Sequence, residues 1–288
     1  MGKKRMQSPS SMNTYFQCPR KYFYIYKLKM RTSPSIHLVR GSAAHLALEK
    51  LFSLLPEVLS DNYKRDLQII VTELLKKAWR ESKEEFDKLD MSPQQIEEYL
   101  EETKQMVINQ VNFISKQVES AMIKYNIAFP EAFRKITPKV EEEYLSWDYY
   151  VKGFIDVIEN IDGKIRLMDY KTSKRAKMTD QYKLQLAIYS LLYQEKHGKL
   201  PDEVGIYFIK FPNPEMTIKV DEELVNLAKF KIEQIHASTT GDDIGDYPKN
   251  QTPLCKWSSG QCDFYDYCFK GKEIPKEPIK REYKAFKK

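Results

Sequence analysis

The 288-residue sequence predicts an α/β fold, a mixed central sheet flanked by helices, with a helical insertion and chain ends drawn together by clustered cysteines. Three observations predict it. Runs rich in β-branched residues between residues 140 and 171 are interrupted by Asp162-Gly163, a strong two-residue hairpin signal. A helix-period segment over 180–197 then separates those runs from a further strand pattern, so strand, helix and strand follow one another. Finally, the four cysteines divide between position 18 and positions 255, 262 and 268, at opposite ends of the chain. With 42% hydrophobic residues the chain can bury a large core. It reads as one domain over 1–288, with an insertion at 62–129 and a cysteine region made of 1–31 plus 246–288.

The elements follow in order. Ser8-Pro9-Ser10-Ser11 opens a helix, with Ser8 as N-cap and Pro9 in the first turn, running to about residue 26. Thr32-Ser33-Pro34-Ser35 breaks it. Gly41-Ser42 starts a second helix, carrying His45, through about residue 55. From 62 to 129 the chain is charged, periodic and almost free of Gly and Pro; Pro93 behind Ser92 marks a fresh helix start within it. Strands are expected over 140–147, 149–160 and 164–171. In the helix over 180–197, Tyr182, Gln185 and Tyr189 share one face. Strands over 203–211 and 216–220 come next, and Asp221-Glu222-Glu223 begins a last long helix.

The hairpin carries the chemistry. If Asp162-Gly163 is the whole loop, counting back sets Asp156 opposite Asp169, with Cβ atoms about 4.5–5.5 Å apart. Lys171, two residues on, points to the same face. Opposed carboxylates repel unless a cation lies between them, and Mg²⁺ or Mn²⁺ prefers carboxylate oxygens. The alternative is a solvated sheet face. Such an ion polarises a phosphoryl oxygen and lowers the pKa of a bound water, and in-line attack on a phosphodiester needs the positive charge of Lys171.

Charge and cysteines add a partner and a second site. Residues 1–48 hold nine Lys and Arg and no acid, and 270–288 hold eight against three Glu. Aromatic residues interleave with the first set in R-K-Y-F-Y-I-Y-K-L-K, which suits a nucleic-acid backbone and unpaired bases, although some of these rings are expected in the core. No apolar run approaches the ~20 residues of a membrane span, and neither a secretory nor a myristoylation signal is present, so a cytoplasmic protein is expected. In a reducing compartment, clustered thiols read as a metal site, either Zn²⁺ or [4Fe–4S], with four separate buried thiols as the alternative. No Walker-type phosphate loop occurs.

These pieces together resemble a known family. S-x-S-x-M-x-x-Y-x-x-C-P-R-K-Y around Cys18, G-S-A-A-H ending at His45, G-F-I-D at Asp156, M-D-Y-K at Asp169 and Lys171, Q-L-A-I-Y at Gln185 and Tyr189, and the terminal C-x₆-C-x₅-C occur in one order. The chain resembles the RecB-type branch of the PD-(D/E)xK nucleases. It is similar to the iron–sulfur nucleases typified by the nuclease domain of AddB and to CRISPR adaptation nucleases. The resemblance implies a restriction-endonuclease-like fold and a metal-dependent DNA nuclease, an exonuclease acting on DNA ends or single strands in repair or recombination, with a helicase or recombination partner. His45, Asp156 and Asp169 would be ligands of Mg²⁺ or Mn²⁺, with the Tyr170 carbonyl an additional one, and imidazole ligation favours Mn²⁺. Lys171 would orient or activate the attacking water; Gln185 and Tyr189 would position the scissile strand. One of Glu141, Glu142 and Glu143 would join them, and strand alternation puts Glu141 and Glu143 on the same face. Cys18, Cys255, Cys262 and Cys268 would bind [4Fe–4S], although the family usually has C-x₂-C where six residues separate Cys255 from Cys262, and zinc remains an alternative. A non-catalytic DNA-binding or assembly subunit and a site-specific endonuclease are the other readings of the same fold.

Overall fold

The computed structural model describes residues 4–258 and 260–275, which pack as two compact units. The larger comprises Pro34–Tyr144 and Gly153–Val225. The smaller comprises Met1–Ser33, Leu145–Lys152 and Asn226–Lys288. None of the described helices is long and apolar enough to cross a membrane.

In the larger unit, α3 (Ile36–Leu51) starts five residues before the expected Gly41. Ser35 is its N-cap, accepting from the His37 N–H at 3.3 Å, so Gly41 and Ser42 lie inside the helix. Their smallness has a use, because Ala43, Ala44 and Ala47 are buried and a Cβ on Gly41 would stand 3.9 Å from Thr172 Oγ1. The helix lies close against the end of a strand. The 62–129 segment is helical, as α4 (Tyr63–Glu81), α5 (Lys83–Phe86) and α6 (Pro93–Tyr125), with α7 (Phe129–Ile136) following. Ser92 caps α6 in a reciprocal box with Gln95, as Ser-Pro at a helix start favours.

The sheet has five strands in the order β1 (Lys139–Ser146), β2 (Val151–Ile161), β3 (Lys164–Lys171), β4 (Glu203–Phe208) and β5 (Glu215–Lys219). β2 and β3 are antiparallel, paired from Ile161↔Lys164 to Val157↔Met168. Asp162 (φ 53) and Gly163 (φ 86) form the loop, both left-handed as a two-residue turn of this kind requires. β3 and β4 are parallel, joined over α8 (Asp180–His197), which Thr179 caps, while β5 returns antiparallel. The fold is thus the mixed sheet flanked by helices that the sequence predicts. Val157, Met168, Tyr170, Tyr207 and Ile209 bury one face of the sheet in a core shared with α3, α4 and α6. α8 packs against the other face, where Gly153 leaves room for Tyr189; a Cβ there would stand 3.1 Å from the ring.

In the smaller unit the first helix stops early. α1 (Pro9–Gln17) is followed by α2 (Pro19–Tyr22) and a π-helical turn, Phe23–Lys27, rather than running unbroken to Tyr26. Cys18 between them is extended (φ −161, ψ 108), because the residue before a proline is driven out of the helical region. α9 (Glu222–Ser238) follows β5 in sequence. A small hairpin of β6 (Lys256–Trp257) and β7 (Gly260–Gln261) and the short α10 (Tyr265–Phe269) complete the described chain. The Tyr24 ring stacks on Phe264 at 4.9 Å, tying the start of this unit to its end.

Candidate active site

One further step in the β2–β3 register beyond Val157↔Met168 brings Asp156 alongside Asp169. Asp156 is buried, and its Oδ2 accepts from the Tyr170 N–H at 2.9 Å. His45, on α3, bridges the two strands: Nδ1 lies 3.2 Å from Asp156 Oδ2, and Nε2 lies 2.9 Å from the Tyr170 carbonyl oxygen. Asp169, 1% exposed, pairs through Oδ2 with the Lys171 ammonium and accepts on Oδ1 from Gln185 Nε2 at 2.6 Å. Gln185 Nε2 also stands 2.7 Å from the hydroxyl of the buried Tyr189. Every residue expected from the hairpin, the His45 helix and α8 therefore meets at one place within the larger unit.

The structure also distinguishes the three glutamates. Donor atoms of His45, Glu141 and Asp156 all lie within 4.8 Å of one another, and among the described residues no other group of three His, Cys, Asp or Glu does so. Strict alternation would turn Glu141 outward with the exposed Glu143 and Leu145. Instead Glu141 takes a left-handed backbone (φ 51), which breaks the alternation and turns it toward His45. A non-glycine residue held this way costs about 1–2 kcal/mol. Strain of this kind gathers at functional sites.

The electrostatics of the site follow from its burial and its clustered charges. Burial and then the Asp156 charge push Glu141 up to about 7. Burial and Asp156 likewise raise Asp169 to about 6. Burial alone would lower His45, but Asp156 outweighs it and raises the imidazole to about 9. Burial opposes the Lys171 charge as well, yet Asp169 holds the ammonium above its ordinary range. Asp156, despite burial, is held below the usual carboxylate range by His45. The imidazolium thus stands where a dication would balance the carboxylates, and the donor set suits Mg²⁺ or Mn²⁺. The signs predict a pH dependence. Glu141 and His45 give up protons only as pH rises through about 7 and about 9, so Mn²⁺ should bind more tightly across that interval and release protons. The same raised values mean that the metal-free protein loses stability from this site as pH climbs from 4.5 toward 9. The rise in Tm on adding Mn²⁺ should therefore be larger at pH 8.5 than at pH 6; an equal rise at both would contradict the donor set.

Two features here had no counterpart in the sequence reading. Arg40, 2% exposed, donates to the Thr172 carbonyl at 3.1 Å and pairs with Glu102, which also takes Lys210. This network fixes the chain just past Lys171. Lys174, Arg175 and Lys177 then follow, exposed on the loop before α8.

The four cysteines are free and half-buried, all in the smaller unit. β6 and β7 pair as Lys256↔Gln261 and Trp257↔Gly260, and the Cys262 N–H donates to the Cys255 carbonyl at 2.9 Å. The unusual six-residue spacing is therefore a hairpin whose two flanking residues are the cysteines. Burial and the neighbouring Cys18 both raise Cys262 and Cys268, while Lys21 acts on the first and Lys249 and Arg20 on the second in the opposite direction. Among the described residues no three Sγ atoms lie within 4.8 Å of one another.

Residues 7–269 match the family described as the PD-(D/E)XK nuclease superfamily. A search of curated proteins returns no match. Among solved structures, the chain is similar to a crystal structure from Eubacterium rectale described as an exonuclease by assignment, at 13% identity and a TM-score of 0.49, covering 96% of this chain and 91% of that one.

Proposed function

The chain belongs to the PD-(D/E)XK nuclease superfamily, and from that premise we propose that it is a divalent-metal-dependent deoxyribonuclease of the RecB/AddB iron–sulfur type, working as an exonuclease on DNA ends or single strands. One observation carries the reading: His45, Glu141 and Asp156 converge beside the buried Asp169–Lys171 pair. These donors, with Asp169 and the Tyr170 carbonyl, would hold the ion, and a bound Mg²⁺ or Mn²⁺ supplies a water of lowered pKa and polarises the phosphoryl oxygen. Lys171, kept as an ammonium, stabilises charge developing on the phosphate rather than taking a proton. Gln185 fixes the Asp169 carboxylate and is exposed enough to reach a strand, whereas Tyr189 is buried and acts through Gln185. Lys174, Arg175 and Lys177 offer charge to the phosphates on either side of the scissile one. The deciding assay compares linear with circular single-stranded DNA in Mn²⁺, in Mg²⁺ and in EDTA. Progressive loss of the linear form alone, only with metal, is expected. Equal attack on circles would replace the exonuclease with an endonuclease, and no cleavage with either metal would leave the non-catalytic reading.

Cys18, Cys255, Cys262 and Cys268 would hold a [4Fe–4S] cluster that closes the smaller unit on itself. The reading is supported by four free thiols in the smaller unit and by Lys21 acting on Cys262 and Lys249 and Arg20 on Cys268, since a cubane with four thiolates is anionic. Anaerobically purified protein should be brown with broad visible absorption, lost in Cys262→Ala. A colourless protein with stoichiometric zinc would overturn the cluster while leaving the nuclease reading intact.

A further inference from the structure

A second concave surface lies in the larger unit, away from the carboxylates. It is a groove of about 1040 Å³ between α6, α7 and the β2–β3 hairpin, reaching Tyr193 and His197 at the end of α8. Ile158, on its wall, is two residues along β2 from Asp156, about 7 Å at strand rise. The groove is strongly basic. Lys116, Lys135, Lys139 and Lys199 line it, all exposed, and among the described residues none of them makes an ion pair, while Lys135 acts at longer range on Asp162. The two acids in its wall are already engaged: Asp162 by Lys124 and Tyr125, Glu159 by Arg166 at 3.5 Å and by the Tyr207 hydroxyl.

Rings are presented among these charges. His197 is exposed, stacked on Tyr193 with centroids 4.2 Å apart, and its Nε2 is held by the Tyr144 hydroxyl at 2.9 Å. Phe113 and Tyr125 are half-buried in the same wall, with the Lys135 ammonium 4.2 Å from the Tyr125 centroid. A fixed, exposed ring surrounded by unpaired lysines is what a stacked base between two phosphates needs. The volume sits at the top of the range for small-ligand sites, about 300–1,000 Å³, which is room for a few unpaired nucleotides.

We propose that this groove binds single-stranded nucleic acid, phosphates on Lys116, Lys135, Lys139 and Lys199 and a base on His197, as a track continuing from the candidate active site. Only the identity of that strand as the substrate rests on the nuclease reading.

The test uses the full chain in EDTA, so that no cleavage occurs, with a fluorescein-labelled single-stranded oligodeoxynucleotide followed by anisotropy. The triple variant K116A/K139A/K199A should bind more than tenfold more weakly at low salt. Its slope of log affinity against log salt should fall by about 2, since each single-strand phosphate contact contributes roughly 0.7. His197→Ala should weaken binding by at least about fivefold with the slope unchanged, as loss of a stacking partner does. The three lysines are exposed and make no ion pair, so the melting temperature of the triple variant should match the parent's. Unchanged affinity and slope in the triple variant overturn the proposal, as does parent protein that fails to bind the oligonucleotide. Equal binding of polyglutamate, together with no effect of His197→Ala, would assign the groove to an acidic peptide instead. Because binding is read without metal, a protein that cuts nothing can still uphold the groove, and one that cuts normally can still refute it.

Discussion

Protein carrying Asp169→Ala is expected to lose DNA cleavage altogether while still binding a single-stranded oligonucleotide in EDTA. Asp169 is the most deeply buried carboxylate of the site, and three neighbours depend on it. Lys171 loses its counter-charge, Gln185 loses the acceptor it holds at 2.6 Å, and the donor set loses an oxygen. Since burial and Asp156 already push this carboxyl up to about 6, the native charge is maintained against a penalty that only a cation relieves. Asp169→Asn separates chemistry from folding: it keeps the shape and can still meet Gln185, yet should be equally inactive. Lys171→Ala should lower kcat by about 10²–10³ with little change in KM, as happens when one preorganised charge donor to a transition state is removed. Lys171→Arg should recover only part of that, because a planar fork does not replace a point charge. Undiminished cleavage by Asp169→Ala protein, in a preparation free of other nucleases, would falsify the site.

What was legible in the sequence was what local chemistry decides. Asp162-Gly163 sets the hairpin because both positions need positive φ, and with it the register that brings Asp156 to Asp169. Ser8 and Ser92 mark helix starts because each accepts from the backbone three residues on. Less legible were features in which a distant part of the chain overrides a local preference. Gly41-Ser42 reads as a helix start, but Ser35 caps earlier and the small residues serve the approach to Thr172. The break at Cys18 was in plain view as Cys-Pro, since the residue before a proline leaves the helical region. The six-residue gap between Cys255 and Cys262 looked like a departure from a metal-binding spacing; paired as a hairpin, it brings the two together. Arg40, Glu102 and Lys210 are far apart in sequence, and nothing local announces their network.

The choice among Glu141, Glu142 and Glu143 gives the second large effect. Glu141→Gln is expected to weaken Mn²⁺ binding by about 10²-fold or more and to lower cleavage at sub-saturating metal in proportion, since losing even an outer partner of a metal ligand costs 10–100-fold. Glu143→Gln, on an exposed position of the same strand, should leave both unchanged. The contrast is informative because both residues sit on one face by simple alternation. Only the left-handed backbone at Glu141 separates them, by bending β1 so that this side chain meets His45 and Asp156. Titration supplies an independent check. With its raised carboxyl replaced by an amide, the protein should lose the part of the pH dependence of metal binding centred near 7 and retain the part that belongs to His45 near 9. If instead Glu143→Gln weakens the metal and Glu141→Gln does not, the bend in β1 is a structural irregularity and the third carboxylate of the site is its neighbour.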